Sequence, residues 1–206
     1  MALVTQQEQQ RIAEAIAQVE QHTDAELVTV LAARSDDYRY IPVLWAALAA
    51  LLLPSLLLLT HLAADLIVAT QLAAFCVLAL LFRHPAVQHR LIPRRVRHWR
   101  AANMARRQFL ELGLHHTDGD TGVLMFVSEA ERYVEILTDR GISAVIPAEH
   151  WSAIVEGLVT ALKAGETLRG FESAIAQAGE LLAAAVPKTE GNANELDDRL
   201  VLIGYP

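Results

Sequence analysis

Apolar and polar positions along this chain follow several rhythms, and each change of rhythm marks a new element. Ile12, Ile16 and Val19, interleaved with Ala13, Ala15 and Ala17, recur on a helical stripe. Thr5-Gln6-Gln7-Glu8, just ahead of it, has the spacing of a capping box. A turn at His22-Thr23-Asp24 leads into Ala25–Ala33, AELVTVLAA, a β-rich run of the kind that forms a buried strand. The polar loop Arg34-Ser35-Asp36-Asp37-Tyr38 follows.

From Ile41 to Phe82 all periodicity disappears. The block is apolar throughout, with Asp65 as its only acidic, Lys or Arg side chain and His61 nearby. At roughly 1.5 Å per residue, about 42 helical residues cover about twice the ~30 Å bilayer core. This predicts two membrane spans joined by a tight turn. Asp65 then marks the polar turn, Pro54 falls within the first span, and Trp45 sits where an interfacial anchor would.

Helical and strand patterns resume afterwards. Arg94–Gly113 reads as a helix, with Trp99, Ala102, Ala105, Phe109 and Leu112 on one face and Gly113 as its stop. Gly122–Ser128, GVLMFVS, and Arg132–Thr138, RYVEILT, read as two strands joined in a hairpin. Pro147 opens a helix with Trp151, Ile154, Val155 and Leu158 on one face. Gly165 and Gly170 bracket a loop, and Phe171–Val186 is a last helix, ended by Pro187. Lys188–Asp198 is polar, and Leu200–Tyr205 either docks as a short strand or stays free.

These elements predict an α/β (α+β) fold, a small mixed β-sheet flanked by helices and interrupted by a transmembrane hairpin. A helical crossover implies a parallel strand pair, and the hairpin adds an antiparallel partner. The expected organisation has four parts. Residues 1–40 and 83–187 are two parts of one domain, 41–82 the membrane hairpin, and 188–206 a flexible C-terminal tail.

Charge adds an orientation. The 206 residues carry a formal net charge of −7. Yet Arg83, Arg90, Arg94, Arg95, Arg97, Arg100, Arg106 and Arg107 fall within one segment that has no acidic residue. Arg34 and Arg39 precede the apolar block, and its central turn has no Lys or Arg. The positive-inside rule then places both flanks in the cytoplasm. Arg83, Arg90, Arg94, Arg95, Arg97 and Arg100 are expected at the lipid surface, each contributing on the order of 1 kcal/mol. That position favours lipid over nucleic acid as their partner. The N-terminal residues lack the basic and apolar regions of a signal peptide. Cys76, the single cysteine, permits no disulfide within these residues.

The catalytic motifs with fixed spacing are missing: GxSxG, P-loop, GxGxxG, HExxH and CxxC. Asp118-Gly119-Asp120-Thr121-Gly122 starts like a calcium loop, but Gly122 and Val123 stand where an EF-hand needs a ligand and then glycine. A solvated acidic turn or a non-EF divalent-cation site remains. His115-His116, read as strand-like, would point to opposite faces and not share a metal. Asp139-Arg140-Gly141-Ile142 closes the second hairpin strand, at a strand end where sites form in α/β sheets.

Taken together, EQQRIAEAIAQVEQHTDAELV, RSDDY, QFLELGLHHT, TGVLMFVSEAERYVEILTDRGI and the Trp151 helix resemble the TPM domain family in its bacterial membrane-inserted form. The resemblance implies a compact α/β fold. It also implies acid phosphatase activity as described for some relatives, accessory roles in photosystem repair or beside a receptor for others, and calcium or other divalent cations bound at acidic loops. Gly122, Val123, Leu124 and Gly141 match family positions that shape the hairpin, and Glu26 and Asp139 match commonly acidic ones. The metal-ligand candidates are therefore Asp118, Asp120, Asp139 and Glu26, with Ca²⁺ or another divalent cation as the cofactor.

Three functions follow as expectations. The first is a non-enzymatic accessory or assembly factor, anchored in the inner membrane with both termini cytoplasmic and partnered by lipid and an unidentified membrane protein. The second is a metal-dependent acid-phosphatase-like hydrolase. The third is a cation-binding domain without catalysis.

Overall fold

The computed structural model describes residues 4–84, 87, 90–190, 192 and 194–205. They form two compact units, one of Met1–Ser35 with His98–Pro206 and one of Asp36–Arg97.

The first unit is built on a mixed four-stranded sheet. Helix α1, Gln6–Glu20, begins with the expected capping box: the Thr5 side chain accepts from Glu8 N–H, and the Glu8 carboxylate accepts from Thr5 N–H at 2.7 Å. Strand β1, Glu26–Ala32, follows. After the second unit come β2, Gly122–Ser128, and β3, Tyr133–Thr138. The strand order is β3-β2-β1-β4, where β4 is Leu200–Ile203. β1 pairs parallel with both β2 and β4, and β3 runs antiparallel to β2.

The continuous apolar character of β1 and β2 has a plain cause. Leu27, Leu31, Val123, Met125 and Val127 face one core, and Val28, Val30, Ala32, Leu124 and Phe126 the other. Both faces are covered, so both sets of alternating positions must be apolar. The first core is closed by Ile12 and Ile16 of α1 and by two further helices, Ala148–Lys163 and Thr167–Ala185. The second is closed by Ala101 and Ala105, from the helix Arg94–Glu111.

The second unit holds α2, Tyr40–Leu57, a 3₁₀ turn at Leu58–Thr60, and α3, Ala64–Phe82. The turn pivots on His61, whose φ of +55° is left-handed. Asp65 stands in the first turn of α3, where a carboxylate complements the helix dipole. Pro54 is accommodated within α2. Trp45 donates its indole N–H to the Leu91 carbonyl at 3.2 Å. Mean hydropathy reaches 2.3 over Tyr40–Thr60 and 2.2 over Ala64–Phe82, so both segments are long and apolar enough to span a membrane. Only 11 % and 6 % of these stretches are buried, which sets them apart from core helices of a soluble protein.

In chain order the remaining helices are α4, Arg94–Glu111; α5, Arg140–Val145; α6, Ala148–Lys163; and α7, Thr167–Ala185. Four expectations need correction. Trp99, placed on the inner face of α4, is 57 % exposed, and the buried face is Ala101 and Ala105, small enough to let the helix approach the sheet closely. Gly170 lies inside α7 and not in a loop; a Cβ there would come within 2.9 Å of Ala161 Cβ on α6, so the glycine serves the close approach of the two helices. His115 and His116 lie in a 3₁₀ helix after Gly113, whose φ is +78°, and their ring centres are 3.8 Å apart with the planes tilted by 43°. The tail expected over 188–206 is held at several points and ends in β4, which covers the free edge of β1 and pairs its backbone groups.

Candidate functional site

The carboxylates singled out by the sequence come from one end of the sheet, where β1 and β2 begin and β3 ends. Glu26 opens β1 opposite Gly122, and Thr138, just before Asp139, pairs with Val123. What each carboxylate binds is a different matter.

Glu26 is 2 % exposed. Its two oxygens accept the backbone N–H groups of Glu195 at 3.2 Å and Leu196 at 3.1 Å. Burial raises its pKa, against those two donors, which lower it. Asp24 makes a second tether: it accepts from Thr189 N–H at 3.0 Å and from the Thr189 hydroxyl at 2.7 Å. Asp118 contributes through its backbone, donating N–H to Glu195 Oε1 at 2.9 Å, while its own side chain is exposed. These bonds hold the segment that leads into β4.

Asp120 has a left-handed φ of +56° and forms an exposed ion pair with Arg140 at 3.7 Å. Asp139 caps α5, its Oδ1 accepting from Arg140 N–H at 2.8 Å. Its Oδ2 is buried without a hydrogen-bond partner among the described residues. Asp120 and Asp139 are neighbours, since the Asp120 carbonyl accepts from Gly141 N–H at 2.9 Å.

The donor set can therefore be tested against a divalent cation. Both Glu26 oxygens hold backbone amides, Asp120 faces an arginine, and Asp139 Oδ1 is a helix cap. Among the described residues no group of three or more His, Cys, Asp or Glu side chains is placed to share a metal. The four residues share an end of the sheet, but they do not gather into a ligand set.

Sequence reasoning missed two buried acids. Glu20, the last residue of α1, is 6 % exposed. Its Oε1 accepts from Leu27 N–H at 2.8 Å. Desolvation first, then the proximity of Asp198 and Glu26, pushes its pKa up to about 9 against the Leu27 donor. Glu131, at 2 % exposure, staples the β2–β3 turn: its Oε2 accepts from Ser35 N–H at 3.0 Å and from the Ser128 hydroxyl, which also meets Ser35 Oγ at 2.9 Å. Glu20 was legible only as a polar residue ending a helix. Glu131 was legible only as part of a short connection.

The arginines divide by exposure. Arg83, Arg90, Arg94 and Arg95 are exposed, whereas Arg97 and Arg100 are half-buried. The Arg100 guanidinium lies 4.9 Å from the centre of the Trp99 ring, a cation–π distance.

No curated protein matches the chain. The NMR structure of the BA42 protein from the psychrophilic bacterium Bizionia argentinensis sp. nov. is similar in fold, with a TM-score of 0.62 at 18 % identity over 97 % of this chain and 94 % of that one. Residues 92–181, which contain α4, β2, β3, α5 and α6 with most of α7, match the model of the TPM domain. That stretch is therefore similar to the TPM domain, while the likeness to the BA42 structure is one of fold.

Proposed function

We propose that this protein is a TPM-domain module anchored by α2 and α3 in the inner membrane, facing the cytoplasm and serving membrane proteins as a non-enzymatic accessory or assembly factor. The observation that carries the reading is the outward apolar surface of the hairpin. Leu51, Leu52, Leu58, Leu59 and Leu80 are each between 65 % and 79 % exposed. Each leucine left in water forgoes roughly 1.5–3 kcal/mol of burial. A bilayer removes that cost. Arg83, Arg90, Arg94 and Arg95, exposed after α3, supply the charge asymmetry that sets orientation. The carboxylates support a structural role, because Glu26 accepts two of the chain's own backbone N–H groups and Asp24 accepts the Thr189 N–H and hydroxyl.

Topology mapping tests the anchor. With Cys76 replaced by alanine, a cysteine at Thr60 should react with an impermeant maleimide in intact cells. One at Thr189 should react only after permeabilisation. The protein should also resist alkaline carbonate extraction. Extraction into the soluble fraction, or the opposite labelling pattern, would remove the anchor. Crosslinking in native membranes then tests the accessory role, which requires one reproducible membrane-protein partner.

The cation-binding or hydrolase reading has one support, the buried, unpartnered Asp139 Oδ2 beside Asp120. Calcium titration followed at the Asp120 and Gly141 amides separates the readings. No saturable shift is expected, and a saturable one would favour the second.

A further inference from the structure

The parallel strands β4, β1 and β2 finish at the same end of the sheet, at Ile203, Ala32 and Ser128. Open α/β sheets place ligands outside the carboxyl ends of their parallel strands. The sequence pointed to the other end, because Asp139 closes β3 and β3 runs the opposite way.

A cavity of about 350 Å³ opens at the carboxyl end, between the β2–β3 turn and the last turns of α6. That volume is within the range of small-molecule sites. Val127, Val134, Val159 and Leu162 give it apolar walls. Arg132 and Lys163 line it with two cations, and neither has an acidic partner among the described residues. Glu129 also lines it, with its Oε1 buried and without a hydrogen-bond partner among the described residues.

The turn that presents Arg132 is held firmly. Arg132 has φ of +52°, a left-handed position that hairpin turns usually give to glycine. Its N–H donates to the Glu129 carbonyl at 3.0 Å, and the buried Glu131 ties the same turn to Ser35 and Ser128. An arginine kept in a strained conformation by its surroundings is positioned before any ligand arrives.

We propose that this crevice binds a small monocarboxylate with an apolar body. Two cations and one carboxylate leave a single positive charge, which suits a monoanion. A doubly charged phosphate would meet Glu129, where like charges repel. The apolar walls bury the carbon chain, and Arg132 offers a guanidinium fork that fits a carboxylate.

Hexanoate is a suitable probe for calorimetry on the purified full chain in detergent, with hexanol, hexylamine and hexyl phosphate as comparisons. Hexanoate should bind, and hexanol and hexylamine should not. Arg132→Gly should weaken hexanoate about tenfold, the loss of one charge-assisted contact. The same variant should melt no lower than the parent, because glycine accepts the left-handed φ. Lys163→Gln should weaken binding by a smaller factor. Absence of hexanoate binding at roughly 10 mM, far into the weak range, would overturn the proposal. So would unchanged affinity in Arg132→Gly. Tighter binding of hexyl phosphate than of hexanoate would overturn the monoanion assignment.

Discussion

Replacing Gly141 with alanine is expected to destabilise the protein by about 3 kcal/mol, the upper end of the usual cost of overpacking with a forced backbone shift. A Cβ at this position would come within 2.2 Å of the Gly119 carbonyl oxygen and 2.8 Å of the Asp120 carbonyl oxygen. Neither is the end of a flexible side chain, so one segment of backbone must move. The movement would break the hydrogen bond from Gly141 N–H to Asp120 O and disturb the Asp139 cap on α5. Thermal melting of the full chain should show the loss. Hydrogen exchange should place it at residues 118–122 and 139–145 first. A melt within about 1 kcal/mol of the parent, the ordinary scatter of surface substitutions and a little more, would refute the account.

Glu20→Gln is expected to act in the opposite direction and to stabilise. The pKa of Glu20 rises from 4.5 in its unperturbed state to about 9 in the fold. The folded state therefore binds a proton that the unfolded state releases above pH 4.5. Stability contributed by that proton is complete below pH 4.5 and is lost as pH rises towards 9. At neutral pH the parent has given up about 3 kcal/mol relative to acid conditions. Glutamine keeps an acceptor for Leu27 N–H and does not ionise, so the loss is removed. The melting temperature should rise by roughly 10–20 °C at pH 8, where the loss reaches about 5 kcal/mol and each kcal/mol is worth about 2–4 °C for a chain of this size. The gap between variant and parent should close as pH falls to 4.5. A gap that is constant with pH would mean that Glu20 does not titrate in this way.

Much of the fold could be read from β1 and β2. Their unbroken apolar runs signalled burial on both faces, and the two cores divide those residues with a period of two. The apolar block was equally plain, with its turn falling at His61 as the polar interruption suggested. β4 was harder to read, because LVLI is short and follows a polar stretch. Its claim to be a strand depends on an edge of β1 far away in the chain.

The site was legible in residue type but not in use. Glu26 looked like a ligand because it is acidic and sits at a strand end. Its actual partners are amides 169 and 170 positions downstream, in a segment that looked like a tail. Asp139 was correctly placed at the end of β3, but an antiparallel strand reverses the meaning of that end. The carboxyl end of the parallel strands holds Arg132, whose left-handed backbone no pattern of apolar residues reveals.

The position of β1 has a consequence for the order in which the protein is made. It lies inside the sheet, between β2 and β4, yet it leaves the ribosome before either neighbour. Both apolar helices are synthesised before β2, and every other strand and helix before β4. The first strand therefore waits with both edges open while a greasy hairpin emerges behind it. Such a nascent chain is most exposed to wrong pairing in that interval, when an unpaired edge and unburied leucines coexist. A chaperone or insertion factor acting on this protein would do its work there, before the sheet has a second strand.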